Sequence, residues 1–448
     1  MAVSSEGEFM RHVGNEERGP VGYLDLVRRN RNFRFLWTGQ VISLFGDWFD
    51  LIASAALISH LTRSGLAVGS LFVVRMMAPF LVSPLAGVLA DRYNRKRLLI
   101  FADVLRGIIV LGFLLVRTEE QAWLLYVITA IQLAFSGVFF PARNAIIPDI
   151  VSRSELGAAN AISSTTWSVM LALGSALGGI VAGEWGIYPA FVIDSISFFC
   201  SAFFISHVRY SHNQYAQSDF NPEEHQVKAA FRQYVDGLKY LQSHKDIFAI
   251  TLHKSAMALL VSGAFQVIQV ALAQRVFVIG ENGGTSLGLL YAFAGIGTGA
   301  GPILARVFTG DRDRPLRLAL TLSYGISVVG LAMSAPLASF VLVLLGTFVR
   351  SLGGGINWTF STQLLLEWVP DGVRGRVFSS EFAMFTLANA ISSAAGGWLL
   401  DNTNLGIGGI MWGMAVLLLI PGILWYAWTL FGKRDTSALS EEQVTSAS

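Results

Sequence analysis

The sequence predicts an all-α membrane protein: about twelve transmembrane helices in two six-helix halves related by pseudo-two-fold symmetry. Three observations predict it. The 448-residue chain is 53% hydrophobic and only 14% charged, against about 25% charged for a soluble globular chain, and its mean hydropathy is +0.55. Its apolar residues come in long runs, and about 20 apolar residues carry a helix across a bilayer. Its landmarks also recur at one spacing. Ala90-Asp91-Arg92 reappears as Gly310-Asp311-Arg312, and Pro148-Asp149 as Pro370-Asp371. Gly174-Ser-Ala-Leu-Gly178-Gly179 reappears as Ser392-Ser-Ala-Ala-Gly396-Gly397, each match about 220 residues on. Duplication in parallel order produces two equivalent sets of six helices.

Run length and Gly, Pro or charge punctuation place the spans at 33–60, 67–90, 98–117, 122–141, 157–182, 189–208, 247–273, 285–308, 316–335, 338–359, 377–400 and 406–431. The expected organisation is a cytoplasmic tail (1–32), a first half (33–209), a cytoplasmic linker (210–246), a second half (247–431) and a second cytoplasmic tail (432–448). The linker begins polar. It then sets Val227, Phe231, Tyr234, Val235, Leu238 and Leu241 at helical spacing, which predicts an amphipathic helix along the membrane surface. Basic residues test the layout. With the amino terminus inside, only Arg63, Arg117 and Arg275 lie outside, and Arg75, Arg106, Lys254 and Arg350 lie within the membrane. Every other Lys and Arg of the 32 falls on the cytoplasmic side, where such residues concentrate. The expected location is therefore the plasma (inner) membrane, multi-pass, with both termini cytoplasmic.

Between the second and third spans runs Gly87-Val-Leu-Ala-Asp91-Arg92-Tyr-Asn94-Arg95-Lys96-Arg97. Gly87 permits close helix approach, and Asp91 can pair with an Arg or cap the next helix. This stretch resembles the signature loop of the major facilitator superfamily, Gly-x-x-x-Asp-Arg-x-Gly-Arg-Arg/Lys. Asn94 stands at the family's glycine and is expected to tolerate its left-handed backbone. Pro141-Ala-Arg143-Asn144, Pro148-Asp149, Ala159-Asn160 and Gly237-Leu-Lys-Tyr-Leu resemble the branch that includes macrolide-efflux pumps and the enterobactin exporter. Gly174 to Gly179 resembles the antiporter motif of drug exporters, with Ser175 in place of its proline. The resemblance implies a transporter, not an enzyme, that exports amphipathic or siderophore-like small molecules. It makes Gly87, Asp91, Arg92, Asn94, Arg95 and Lys96 a conformational gate, and Asp311 and Arg312 its second copy.

Ionisable groups inside a bilayer cost at least about 2.5 kcal/mol each, so they are functional candidates. Asp47 and Asp50 share a face of the first span; like charges so placed suit a carboxyl that takes up and releases a proton. The competing reading is a structural pair, with Arg75 the first-choice partner of Asp50. Asp103 and Arg106 are expected to form a local ion pair, or to join the Asp91 loop as a latch. Arg350 and Lys254 have no acid on their own spans, so either could attract an anionic substrate group, while Lys254 could instead snorkel. Glu381 is expected to meet a helix dipole, Arg92 or Arg95. Asp194 is expected to be wet, and His253 structural. Gly174, Gly178, Gly179, Gly396 and Gly397 are expected at close helix contacts.

Several classes are excluded. A net charge of +2 does not suit a nucleic-acid partner. One cysteine, Cys200, rules out a disulfide framework or a cysteine-based metal site. No phosphate-binding Gly-x-x-x-x-Gly-Lys-Ser/Thr or His-Glu-x-x-His sequence occurs, so no cofactor or metal is expected and the proton gradient is the expected energy source. Partners are membrane lipids and a small-molecule substrate, with the chain a monomer. The rival readings are a lysophospholipid or lipid flippase on the same scaffold and a membrane binding or sensing protein that transports nothing.

Overall fold

Helix starts follow local capping chemistry. Asn30 accepts from the Phe33 N–H at 3.0 Å, Ser64 from Ala67 at 3.1 Å, and Ser339 from Leu342 at 3.2 Å, each satisfying a donor that a helix start leaves free. The computed structural model describes residues 22–210, 226–310 and 312–431, and among them twelve helices are long and apolar enough to cross a membrane. A short helix, α1 (Tyr23–Arg29), precedes them. The first six spans are α2 (Arg31–Thr62), α3 (Gly65–Arg92), α4 (Arg95–Val110, prolonged by a 3-10 turn to Leu115), α5 (Ala122–Ile150), α6 (Arg153–Glu184) and α7 (Ile187–Ser206). The amphipathic helix is α8 (Gln226–Ser243).

The seventh span is interrupted. It comprises α9 (Lys245–Met257), a π turn (Ala258–Ser262), α10 (Gly263–Ala271) and a second π turn (Leu272–Val276). Wide turns of this kind concentrate at functional sites. The last five spans are α11 (Gly284–Thr309), α12 (Asp313–Ser334), α13 (Phe340–Trp368), α14 (Asp371–Asn402) and α15 (Gly406–Phe431).

Within the segment 1–32, α1 buries Leu26. One expectation changes. Asn94 is not left-handed: its φ is −59° and its side chain caps α4 by accepting from Arg97 N at 3.1 Å. The residue thus serves the next helix rather than a tight turn. Asp311, residues 1–21, the polar start of the linker (211–225) and residues 432–448 lie outside the described residues, as do the side chains of Gly87, Asp91 and Arg92.

An even number of spans puts Arg31 and Phe431 on one face of the bundle, the near face. Helices α2 to α7 pack mainly among themselves, as do α9 to α15; the main crossings between the two groups are α6 on α11 and α3 on α14. Both crossings are tightest toward the far face. A Cβ on Gly179 would collide with Gly288, and one on Gly397 with Gly65, so only glycine lets these backbones meet. Toward the near face, a Cβ on Gly157 or Gly299 would meet nothing within 4 Å.

The cores divide in the same way. One apolar cluster runs through both groups in the far half, from Phe49 and Phe72 to Phe265, Leu287 and Met411. Among the described residues the near half holds two, one around Phe33, Leu99 and Ile146 and one around Ile247, Leu316 and Phe360. Val307 and Phe308 at the near end of α11 are 78% and 81% exposed. Toward the far face the two groups share one core, and toward the near face each keeps its own.

Candidate functional site

Charge in the first group converges on α2. Asp50 Oδ2 lies 2.9 Å from Arg75 Nη1 on α3, the partner expected from the sequence. Asp47, one turn nearer the near face, binds Arg106 Nη2 on α4. Arg106 Nη1 also reaches Asp103 at 3.4 Å and Ser43 Oγ at 3.4 Å, and its guanidinium stacks 4.0 Å over the Phe198 ring. The local Asp103–Arg106 pair is therefore present, but Arg106 is shared with Asp47, which places it in the central cluster.

Asp194 corrects the sequence reading. It is 0% exposed, not wet, and the charges of Asp50, Asp47 and Arg106 act on it. Its Oδ1 meets Ser197 Oγ at 3.4 Å, and no cation binds it among the described residues. The reason is tertiary: α7 packs its Asp194–Ser197 turn against Gly46 of α2, where a Cβ would strike both side chains. The signal in the sequence was a carboxylate inside an apolar run, with its depth misjudged. Four carboxyls thus surround two guanidiniums. Asp50, Asp103 and Asp194 each keep one buried oxygen without a hydrogen-bond partner, whereas the Asp47 side chain stays 23% exposed.

The second group holds different pairs. Lys254 Nζ is 3.0 Å from Glu381 and 4.6 Å from the Trp358 ring centre. Lys254 neither snorkels nor stands free, and Glu381 meets it rather than Arg92, Arg95 or a helix dipole; an acid four spans on neutralises a lysine whose own span offers none. His253 is structural, its Nδ1 2.6 Å from the Tyr324 hydroxyl and its ring edge-on to Trp425. Arg350 makes no ion pair among the described residues. Its guanidinium lies 4.1 Å over the Phe265 ring and donates to Ser351 Oγ at 3.0 Å.

Of the residues expected to form a gate, Arg95 binds Asp149 Oδ2 at 2.8 Å and the Ala145 carbonyl at 2.9 Å. Lys96 is half-buried. Arg312 reaches back to the Thr309 and Phe308 carbonyls at 3.3 and 3.4 Å. Gly174 and Gly178 face Trp48 and Phe49 of α2, Gly179 faces α11, and Gly396 faces Ala264 of α10. Those glycines sit at close helix contacts. Unforeseen was Asp401, at the far end of α14. It accepts from Ser64 Oγ (2.7 Å), Gly65 N (2.7 Å) and Leu66 N (2.9 Å) at the start of α3. Nothing local in the sequence marks a pair this distant.

A multi-pass membrane bundle with paired charges inside and a seam closed at one face defines a membrane transport protein rather than an enzyme. The family model of the Major Facilitator Superfamily matches residues 36–345 and 255–447, and the chain belongs to that superfamily. It is 26% identical to the uncharacterized MFS-type transporter YfiS of Bacillus subtilis (strain 168), covering 91% of this chain and 95% of that one. It is 21% identical to macrolide efflux protein A of Streptococcus pyogenes, covering 80% and 87%. The fold matches the crystal structure of a bacterial homologue of the iron transporter ferroportin in its inward-facing state. There the TM-score is 0.65 at 16% identity, over 89% of this chain and 98% of that one.

Proposed function

We propose that the protein is a proton-coupled exporter of amphipathic small molecules, with the near face cytoplasmic and the two six-helix halves, 33–209 and 247–431, rocking about the cluster on α2. The seam is then shut outside and open inside, the state that loads a molecule for export, and the likeness to a macrolide efflux protein supports that direction. The single observation that carries the coupling is the acid surplus: Asp47, Asp50, Asp103 and Asp194 against Arg75 and Arg106.

Two uncompensated carboxylates at this depth would cost several kcal/mol each, and binding protons removes that cost. Asp47, the exposed member, is the entry point; Asp194, without a cation, is the site that gains most from a proton. Alternating access exposes the cluster to each side in turn, and the outward-directed substrate step exchanges for the proton.

The test is flux in proteoliposomes under an imposed pH gradient, with a macrolide as probe. Asp47→Asn and Asp194→Asn are expected to abolish gradient-driven movement while leaving downhill exchange. Gradient-independent transport by the parent, or full coupling in both variants, refutes it. One observation favours a fattier substrate. A groove of about 520 Å³ opens between α2 and α6, lined by Trp37, Val41, Ile162, Val169 and Met170 with Tyr23 of α1. The same vesicles should therefore be assayed with labelled lysophospholipid; its movement without macrolide movement would select the flippase reading.

A further inference from the structure

Arg350 and Tyr291 leave buried donors facing no acceptor at the seam between the two helix groups. Arg350 Nε is buried and has no hydrogen-bond partner. Tyr291, on α11, is 7% exposed, and its hydroxyl is buried and equally unpartnered. Their helices, α11 and α13, pack against each other, a Cβ on Gly297 meeting the Phe348 carbonyl and Ser351, and the charges of Arg350 and, across the seam, Arg75 act on Tyr291. Its ring stands 6.0 Å from Trp48 of α2.

Two other cations within the spans differ in kind. Arg75 is neutralised by Asp50 at 2.9 Å and Lys254 by Glu381 at 3.0 Å. A guanidinium at this depth without a counter-ion is costly, and the cost is recovered when an anion binds. A guanidinium N–H and a phenolic O–H recognise an oxyanion, since charge-assisted bonds to such a group are among the strongest available. Phe265 under Arg350 and Trp48 beside Tyr291 supply flat apolar faces for the remainder of the molecule.

We propose that Arg350 Nε–H and Tyr291 O–H bind an oxyanion, carboxylate or phosphate, on the transported amphipath, whose apolar part lies against Trp48 and Phe265. The protein then selects acidic or zwitterionic amphipaths over neutral ones of the same shape. This rests on the transport reading but concerns recognition, not coupling, so it is tested by binding at equilibrium with no gradient.

Purified full-length protein in neutral detergent is titrated with dansyl-undecanoic acid and with its methyl ester, read by energy transfer from tryptophan. The acid is expected to bind about tenfold or more tighter than the ester, the scale of one charge-assisted bond. Arg350→Gln should bring the acid down to the affinity of the ester, and an unchanged, monodisperse gel-filtration profile reports an intact fold. Arg350→Lys should recover part of the difference, and Tyr291→Phe should reduce it several-fold. A parallel titration with lysophosphatidic acid against free inorganic phosphate separates a lipid head group from the bare ion. Equal affinities of acid and ester in the parent, no saturable binding of the acid, or an unchanged ratio in Arg350→Gln overturns the proposal. Loss of gradient coupling with the ratio intact overturns only the coupling reading.

Discussion

Replacing Asp401 with Asn should shift the protein from the state seen here toward one open at the far face. The Asp401 carboxylate ties α14 to the start of α3 through Ser64 Oγ, Gly65 N and Leu66 N, at 2.7 to 2.9 Å. They join the two helix groups at the far face, so on the proposed rocking motion, which parts α3 from α14, removing them favours the state open there. A hydrogen bond to a charged group contributes about 1.5–3 kcal/mol when shielded, and a charge at a helix start about 0.3–1 kcal/mol. Asp401 is exposed, and asparagine keeps one acceptor oxygen, so the loss is set at about 2 kcal/mol, or about thirtyfold in the ratio of states. The assay is a distance distribution from spin labels at Tyr93→Cys and Phe308→Cys, both exposed near-face positions, after the free Cys200 is changed to Ser. Asp401→Asn should enrich the shorter distance. A distribution identical to that of the parent refutes the latch.

Three further outcomes are expected. Gly179→Val places its branch against Gly288 backbone and should block far-face closure; transport falls to background while the labelled pair reports near-face closure at normal protein levels. Lys254→Met alone leaves Glu381 charged and buried and should cost about 3–5 kcal/mol, whereas adding Glu381→Leu restores much of it, because a lone buried charge is worse than none; thermal unfolding in detergent measures both. Asn94→Ala removes the α4 cap seen at 3.1 Å and should cost about 1 kcal/mol, read as faster amide exchange confined to the first turn of α4.

Span positions were legible because the bilayer acts on the chain one stretch at a time. The interruptions were not: nothing in 258–262 or 272–276 announces a π turn, and the first packs against α14 whereas the second packs against α11 and α2. Among the site residues, Asp50 and Arg75 could be matched from sequence because each buried charge needs an opposite one and adjacent spans offered few choices. The sharing of Arg106 between Asp47 and Asp103 was missed because it depends on how α4 is rotated toward α2. Asp194 was misjudged for the same reason: its burial is set by α7 pressing on Gly46, a contact between residues 148 apart in number.

The sequence by itself determined that this chain lives in a membrane, how often it crosses, which family it joins and which charged residues must be accommodated. Those properties follow from the local cost of placing each side chain in hydrocarbon, which is additive along the chain. Only the tertiary structure decided which charges neutralise each other, that Lys254 meets Glu381 while Arg350 meets no acid, and that Asp401 binds the start of α3. Coulomb attraction and hydrogen bonding act over a few ångströms, so they depend on which helices abut and on how each is turned, and that is settled when the whole bundle packs.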